Sequence, residues 1–202
     1  MAYVLGFFAA DGTMIKNNRG AHFIEFDITD RSVLLQIRRV MGSNHKIAVR
    51  IRNPQHKVGY RLQVGSKRMF TDLVELGFSQ RKSLTLQLPQ IPIELSSHFV
   101  RGYFDGDGCV YYARLKFADR KNRRQILNTL FTCGTRTFLK SLHTLLKSQG
   151  VSGGTIRTKR RGFDLSLSHR DSLALYKLMY NTGPATGLYL PRKYKTFQRA
   201  IK

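Results

Sequence analysis

Two aspartates, Asp11 and Asp107, stand in matched positions and are the residues best suited to chemistry. Each closes an apolar run and precedes a glycine, in VLGFFAADG (residues 4–12) and FVRGYFDGDG (residues 99–108). The runs have helical spacing, so each carboxylate is predicted to lie at a helix C-terminus, where the helix dipole disfavours an anion. A single Asp-Gly pair would be an ordinary helix end. Two matched pairs indicate a shared divalent cation, which suits hydrolysis of a phosphodiester bond.

Small residues predict how the two helices would be positioned. Gly6 and Ala10 are four residues apart in the first run, as are Gly102 and Gly106 in the second. Residues with this spacing lie one above the other on a helix face, and small side chains let two backbones approach closely. If the helices pack in parallel along these faces, both aspartates emerge at the same end.

Both halves of the chain repeat one order of predicted elements. In the first half, apolar and polar residues alternate over residues 13–17, 22–29, 46–52 and 60–64, and helical periods cover 31–41 and 66–76. In the second half, alternation covers 110–117, 126–132, 155–159 and 163–168, and helical periods cover 136–148 and a stretch that begins at Ser168. The repeat predicts a mixed α+β fold of two pseudo-symmetric αββαββα halves, residues 1–93 and 94–202. Each half would carry a four-stranded antiparallel sheet, and the two apolar helices would join the halves in one core.

Charge and composition restrict the partner. The net charge of +23 over 202 residues implies a polyanion, with nucleic acid first and an anionic membrane surface second. No apolar run approaches the roughly 20 residues of a membrane span, and no basic segment precedes the first apolar run, so we expect neither a membrane span nor a secretory signal. Cys109 and Cys133 lack a CxxC spacing. We expect them to be buried free thiols in a reducing compartment, either a prokaryotic cytoplasm or an organelle.

The two aspartate-bearing runs resemble the signature helices of a LAGLIDADG homing endonuclease in its single-chain, two-motif form. The second run, from Gly102 to Gly108, is a close match. The first departs from the pattern, because Ala9 stands where the family often has an earlier acidic residue, but Asp11 keeps the final acidic position. The resemblance implies a monomeric homing endonuclease that needs no protein partner. It would cut both strands of a long, asymmetric DNA target across the minor groove and leave short 3′ overhangs.

The same resemblance implies a catalytic site. Asp11 and Asp107 would bind Mg²⁺, or Mn²⁺ or Ca²⁺ in its place, with the backbone carbonyls of Ala10 and Gly106 completing the coordination. Family members also place a basic residue near each scissile phosphate, and the matching positions are Lys82 and Lys193.

Polar residues on the outward faces of the predicted strands would read the DNA. Arginine, lysine and glutamine can bond base edges in a major groove, and an aspartate or glutamate can accept from cytosine or act as a charge partner. The candidate readers are Glu25, Asp27, Arg50, Arg52, Arg61 and Gln63 in the first half and Arg114, Lys116, Arg157, Lys159 and Asp164 in the second. The candidate phosphate contacts at hairpin tips are Lys16, Asn18, Arg19, Arg123 and Arg124.

Other functions remain open from the sequence. An intron RNA maturase and a catalytically silent, sequence-specific DNA-binding protein would share the fold. A generic basic RNA-binding protein would require the paired Asp-Gly helices to be a coincidence. The outward strand residues could, taken one by one, be the solvated faces of half-buried sheets.

Overall fold

Two helices, α1 (Ala2–Asp11) and α5 (Ser96–Asp107), lie side by side at the centre of the computed structural model. The structure describes residues 1–51, 55, 57–80, 82–116, 118, 124–181 and 187–201. The contact between the two helices is made by glycine. A Cβ atom on Gly6 would lie 2.0 Å from the carbonyl oxygen of Phe99, and one on Gly102 would lie 2.0 Å from that of Tyr3. The two contacts mirror each other, so the helices pack in parallel across a pseudo-twofold axis. The predicted packing is confirmed.

Each helix leads directly into a four-stranded antiparallel sheet. In the first half, the strand order is β1-β2-β4-β3, formed by β1 (Gly12–Lys16), β2 (His22–Ile28), β3 (Ile47–Arg50) and β4 (Gly59–Gly65). In the second half, the order is β5-β6-β8-β7, formed by β5 (Gly108–Leu115), β6 (Arg124–Cys133), β7 (Thr155–Lys159) and β8 (Gly162–Leu167). The equal orders confirm the predicted duplication and the α+β fold class.

The remaining helices cover one face of each sheet. In the first half they are α2 (Arg31–Val40), α3 (Lys67–Glu75) and the short α4 (Lys82–Thr85). In the second half they are α6 (Arg136–Ser148), α7 (His169–Tyr180) and α8 (Pro191–Ile201). Alternation along the strands sends Phe26, Leu62, Phe131 and Leu165 into a common core with α1 and α5, where all four are buried. The opposite face of the first sheet carries the polar residues of β2 and β4, whereas that of the second sheet also carries apolar and aromatic residues such as Tyr111 and Leu130.

Two features of the fold differ from the sequence predictions. Helices α4 and α8 had no predicted counterpart, although Pro191 is a favourable first residue for α8. Cys109 is exposed instead of buried, because it lies on the outward face of β5, whereas Cys133 is a buried free thiol as expected. The predicted division between residues 93 and 94 falls in the 3₁₀ turn Ile93–Leu95 and stays a prediction. Among the described residues, no helix combines the length and apolarity needed to cross a bilayer.

Candidate active site and nucleic-acid interface

Asp11 and Asp107 are the last residues of α1 and α5, and a strand begins at the next residue in both cases. The glycines that follow, Gly12 and Gly108, are extended, with φ of −80° and −89°. They are therefore not left-handed helix caps. Each instead avoids the phenylalanine four residues earlier, because a Cβ would overlap the ring of Phe8 or Phe104. This geometry turns the chain sharply from helix to strand and leaves both carboxylates at the same end of the helix pair.

The two carboxylates are close enough to repel each other. The Asp11 Oδ2 atom lies 3.2 Å from the position that a Cβ on Gly106 would take. Burial raises the pKa of Asp11 to about 6, and the nearby Asp107 adds to the rise, while Lys82 and Lys193 oppose it. Burial also raises the pKa of Asp107, against the same two lysines and Lys159. A pair of partly buried carboxylates whose repulsion is only partly balanced is a favourable position for a cation.

Lys82 and Lys193 bind the ends of the two helices. The Lys82 Nζ atom donates to the carbonyl oxygens of Ala9 and Ala10, both at 2.8 Å. The Lys193 Nζ atom donates to those of Phe104 at 2.6 Å, Asp105 at 2.8 Å and Gly106 at 3.4 Å. Both lysines are buried, and burial lowers the pKa of Lys193 to about 8 and that of Lys82 in the same direction. Each lysine thus supplies the cation that a helix C-terminus favours.

These hydrogen bonds from the lysines occupy the two backbone carbonyls that were predicted to be metal ligands. The carbonyls of Ala10 and Gly106 were expected to coordinate metal, but both already accept a hydrogen bond from a lysine. A lysine that is fixed on a helix end also differs from one that reaches into solvent toward a phosphate. The first role that the structure gives Lys82 and Lys193 is therefore to hold the helix ends and partly offset the charge of the aspartates.

A buried polar network that the sequence analysis missed supports the second half of the site. Asp105 is fully buried, and its Oδ2 atom accepts from the Tyr3 hydroxyl and from the backbone N–H of Leu190, both at 2.8 Å. Arg101 is also buried and donates to the carbonyl oxygens of Leu188 at 2.9 Å and Met179 at 2.6 Å. Together they tie α5 to α7 and to the residues just before α8, and so they position Lys193. The available signal was two charged residues four apart inside an apolar helix.

The donor set fits a hard divalent cation. Among the described residues, no three or more histidine, cysteine, aspartate or glutamate side chains come together, so this site offers two carboxylates. Mg²⁺ is commonly bound by one or two carboxylates, with water and phosphate oxygens completing its coordination. Softer metals that require several histidine or cysteine ligands do not match this set.

Five polar residues on the outward face of the first sheet form a network that we call the β2–β4 cluster: Glu25, Asp27, Arg50, Arg61 and Gln63. Cross-strand pairing sets Glu25 opposite Gln63 and Asp27 opposite Arg61. Glu25 accepts from Gln63 Nε2 at 3.0 Å and from Arg50 Nη1 at 3.4 Å, and lies 3.6 Å from Arg61 Nη1. Arg50 also pairs with Asp27. A groove of about 460 Å³ runs beside Asp11 along this face. Glu25 and Asp27 are therefore charge partners, while Arg52 lies outside the described residues.

The outward face of the second sheet has fewer charged and polar side chains in contact with one another than the first. Lys159 pairs with Asp164 at 2.7 Å and donates to the Thr132 hydroxyl at 3.1 Å, and Arg157 lies opposite Asp164 and is exposed. The predicted placement of Arg114 on this face is wrong. Arg114 pairs with Gln125, which puts it on the other side of the sheet from Arg157 and Asp164. Lys116 directly follows β5 and is exposed.

The candidate phosphate contacts lie at exposed positions where they are described. The Asn17 side chain accepts from the backbone N–H groups of Arg19 at 3.0 Å and Ala21 at 2.8 Å, which fixes the β1–β2 turn. Lys16, Asn18 and Arg19 are exposed around this turn. Arg124 begins β6 and is exposed, and Arg123 lies outside the described residues.

Comparisons with known proteins agree with this architecture. Residues 1–76 match the LAGLIDADG-like domain family. The fold is similar to that of the LAGLIDADG meganuclease I-AabMI bound to uncleaved DNA, with 16% identity, a TM-score of 0.62, and coverage of 100% of this chain and 89% of that one. It is also similar to the homing endonuclease I-WcaI bound to its DNA recognition sequence, with 15% identity, a TM-score of 0.63, and coverage of 96% and 84%.

A third similar structure is the N-terminal LAGLIDADG domain of DUF199/WhiA, with 16% identity, a TM-score of 0.58, and coverage of 88% of this chain and 79% of that one. No curated protein sequence matches the chain. The whole chain thus has the two-motif LAGLIDADG fold, and its residues 1–76 match the LAGLIDADG-like domain family.

Proposed function

We propose that this protein is a metal-dependent homing endonuclease that cuts both strands of a long, asymmetric DNA site and leaves short 3′ overhangs. The observation that carries the proposal is the pair of partly buried aspartates at the joined ends of α1 and α5, between two sheets whose outward faces carry charged and polar side chains. Similar structures were solved with bound DNA, which supports the same class of partner here.

Charge and symmetry support double-stranded DNA as that partner. The net charge of +23 favours binding to a polyanion through phosphate contacts. A two-stranded or wider sheet can lie in the major groove, where each base pair presents a distinct pattern of donors and acceptors. The two sheets are related by a pseudo-twofold axis but carry different outward side chains, so the preferred target is a poor palindrome. Because both motifs lie in one chain, a monomer suffices.

The residues of the site have separate roles in this mechanism. Asp11 and Asp107 hold the divalent cation, which is Mg²⁺, or Mn²⁺ or Ca²⁺ in its place. When bound, the cation supplies Lewis-acid stabilisation of the charge that develops on the scissile phosphate. Lys82 and Lys193 lower the pKa of both aspartates and so favour the ionised form that a cation needs. The general base is solvent, since no histidine is placed to act on a phosphate among the described site residues.

Cleavage of a plasmid library tests this function. Purified protein is incubated with the library in Mg²⁺ and, in parallel, in EDTA, and the ends of any linear product are sequenced. We expect linearisation at one family of related, asymmetric sites, with short 3′ overhangs, in Mg²⁺ alone. Linear product that is equally abundant in EDTA would contradict a metal-dependent mechanism, and random nicking would contradict site specificity.

A catalytically silent, sequence-specific DNA-binding protein is the second candidate. The observation that favours it is the bond from Lys82 to the Ala10 carbonyl, which occupies a group that cation binding was expected to use. In such a protein, the lysines would remain the permanent partners of the helix ends. The plasmid experiment, repeated with Mn²⁺ and with Ca²⁺ and run beside a binding selection from random DNA, separates the two candidates. The silent protein would select specific sites and yield no linear product with any of the three cations.

A further inference from the structure

Glu25 lies beneath the exposed side chains of Arg50 and Arg61 on the outward face of the first sheet. The Glu25 side chain is 10% exposed, whereas the side chains of Arg50 and Arg61, which approach it from the solvent side, are 39% and 38% exposed. Buried carboxylates are retained at a cost unless several donors satisfy them. Glu25 meets this condition through Gln63, Arg50 and Arg61. Glu25 is therefore the shared partner of the three side chains that lie on its solvent side.

The contacts within the β2–β4 cluster orient particular hydrogen-bond donors and acceptors of Gln63 and the arginines toward a base. Gln63 gives one amide hydrogen to Glu25, so its other hydrogen and its carbonyl oxygen have a fixed orientation. A glutamine that presents one donor and one acceptor matches adenine in the major groove, and an arginine with free N–H groups matches guanine. The two arginines and two carboxylates also carry no net charge together, which weakens their non-specific attraction to phosphates.

The second sheet has no carboxylate at the position that corresponds to Glu25. Pairing with the first strand of each sheet makes Leu130 the counterpart of Glu25, since Glu25 lies opposite Thr13 in β1 and Leu130 lies opposite Cys109 in β5. Pairing with β8 makes Ser166 the counterpart of Gln63. A leucine cannot orient polar neighbours. The two sheets therefore differ in the residue that lies beneath the candidate base-reading side chains, as well as in those side chains themselves.

We propose that Glu25 is a specificity-determining positioning residue, which orients Gln63 and Arg61 toward bases and restrains the arginines from binding phosphates. The proposal rests on the proposed DNA-binding function. The first half-site is then read stringently by a pre-organised cluster, and the second half-site is read loosely. Pre-organisation raises discrimination because the reading groups need no ordering when the DNA binds.

Glu25→Gln is the test variant, because it keeps the shape and removes the charge. In a binding selection from random DNA, we expect its base preference at the first half-site to fall by roughly ten-fold while that at the second is unchanged. Freed arginines should also bind non-specific DNA more tightly, and the slope of log K against log salt should steepen by about one unit. A residue that merely stabilised the fold would weaken binding to all sequences instead.

Asp164→Asn is the matched control, because it breaks the ion pair between Lys159 and Asp164 on the second sheet. We expect it to alter preference at the second half-site alone. If wild type selects a site and Glu25→Gln shows the same base preferences and salt slope, the inference is overturned while the proposed function stands. If wild type selects no DNA sequence, both are overturned. Circular-dichroism melting of both variants shows whether each is folded at the temperature of the selection.

Discussion

Replacing Gly102 with alanine should force the two central helices apart. A Cβ atom at this position would lie 2.0 Å from the Tyr3 carbonyl oxygen, 2.8 Å from the Phe7 backbone nitrogen and 2.9 Å from the Tyr3 carbonyl carbon. All three are backbone atoms of α1, so no side-chain rotation can relieve the overlap. The helix axes must move instead.

The size of the effect follows from this distance. Van der Waals contact is most favourable near about 3.5 Å, so the helices must separate by more than 1 Å or tilt. Overpacking in a well-packed core costs roughly 1–3 kcal/mol, and a backbone-to-backbone overlap belongs at the upper end. For a protein of this size, 3 kcal/mol lowers Tm by about 6–12 °C. The same separation moves Asp107 away from Asp11.

Urea denaturation and plasmid cleavage measure the two consequences. Gly102→Ala should lose roughly 3 kcal/mol of unfolding free energy and most of its cleavage at a temperature where it remains folded. Gly65→Ala is the control, because its Cβ would meet the Phe23 ring at an ordinary 3.5 Å and its φ is not in the left-handed region. A Gly102→Ala protein as stable as Gly65→Ala would refute the close packing of the helices.

Four further substitutions test separate parts of the structure. Lys193→Met should cost roughly 1–3 kcal/mol of unfolding free energy, because it leaves buried carbonyls at the end of α5 without their donor, and urea titration measures this; an unchanged midpoint would contradict the capping role. Tyr3→Phe should cost roughly 1–3 kcal/mol by the same assay, since it removes one of the two hydrogen bonds to the Asp105 carboxylate. Arg61→Ala should relax preference at one base of the first half-site by roughly 1–3 kcal/mol, whereas Arg19→Ala should weaken all sequences about equally and reduce the salt slope by about one. A uniform loss of affinity in Arg61→Ala would show that β4 does not read bases.

The sequence predicted those parts of the structure that depend on local pattern. Gly6 and Gly102 have the spacing of a close helix contact, and the structure places each against the backbone of the opposite helix. Asp11 and Asp107 end their helices as the apolar runs indicated. Alternation in β2 was unambiguous, because Ile24 and Phe26 are apolar while Glu25 and Asp27 are charged.

Features that depend on contacts between distant segments could not be predicted in this way. In β5, both faces carry apolar or aromatic residues, such as Val110 and Tyr111, so the pattern did not decide which face Arg114 occupies. Pairing of Gly108 with Phe131 decides it. The bonds of Lys82 and Lys193 to helix ends join residues more than 70 positions apart, and no local pattern encodes such an approach. The β2–β4 cluster likewise depends on the register between two strands.

The central claim is that Asp11 and Asp107 serve chemistry and not folding, and asparagine variants test it most directly. Asp11→Asn and Asp107→Asn are compared with wild type for cleavage in Mg²⁺, for specific DNA binding, and for melting of the metal-free protein. Because burial and mutual repulsion disfavour the ionised carboxylates, we expect neither variant to melt below wild type, binding to stay within a few-fold, and double-strand cleavage to be lost. Undiminished double-strand cleavage by both variants would contradict the account.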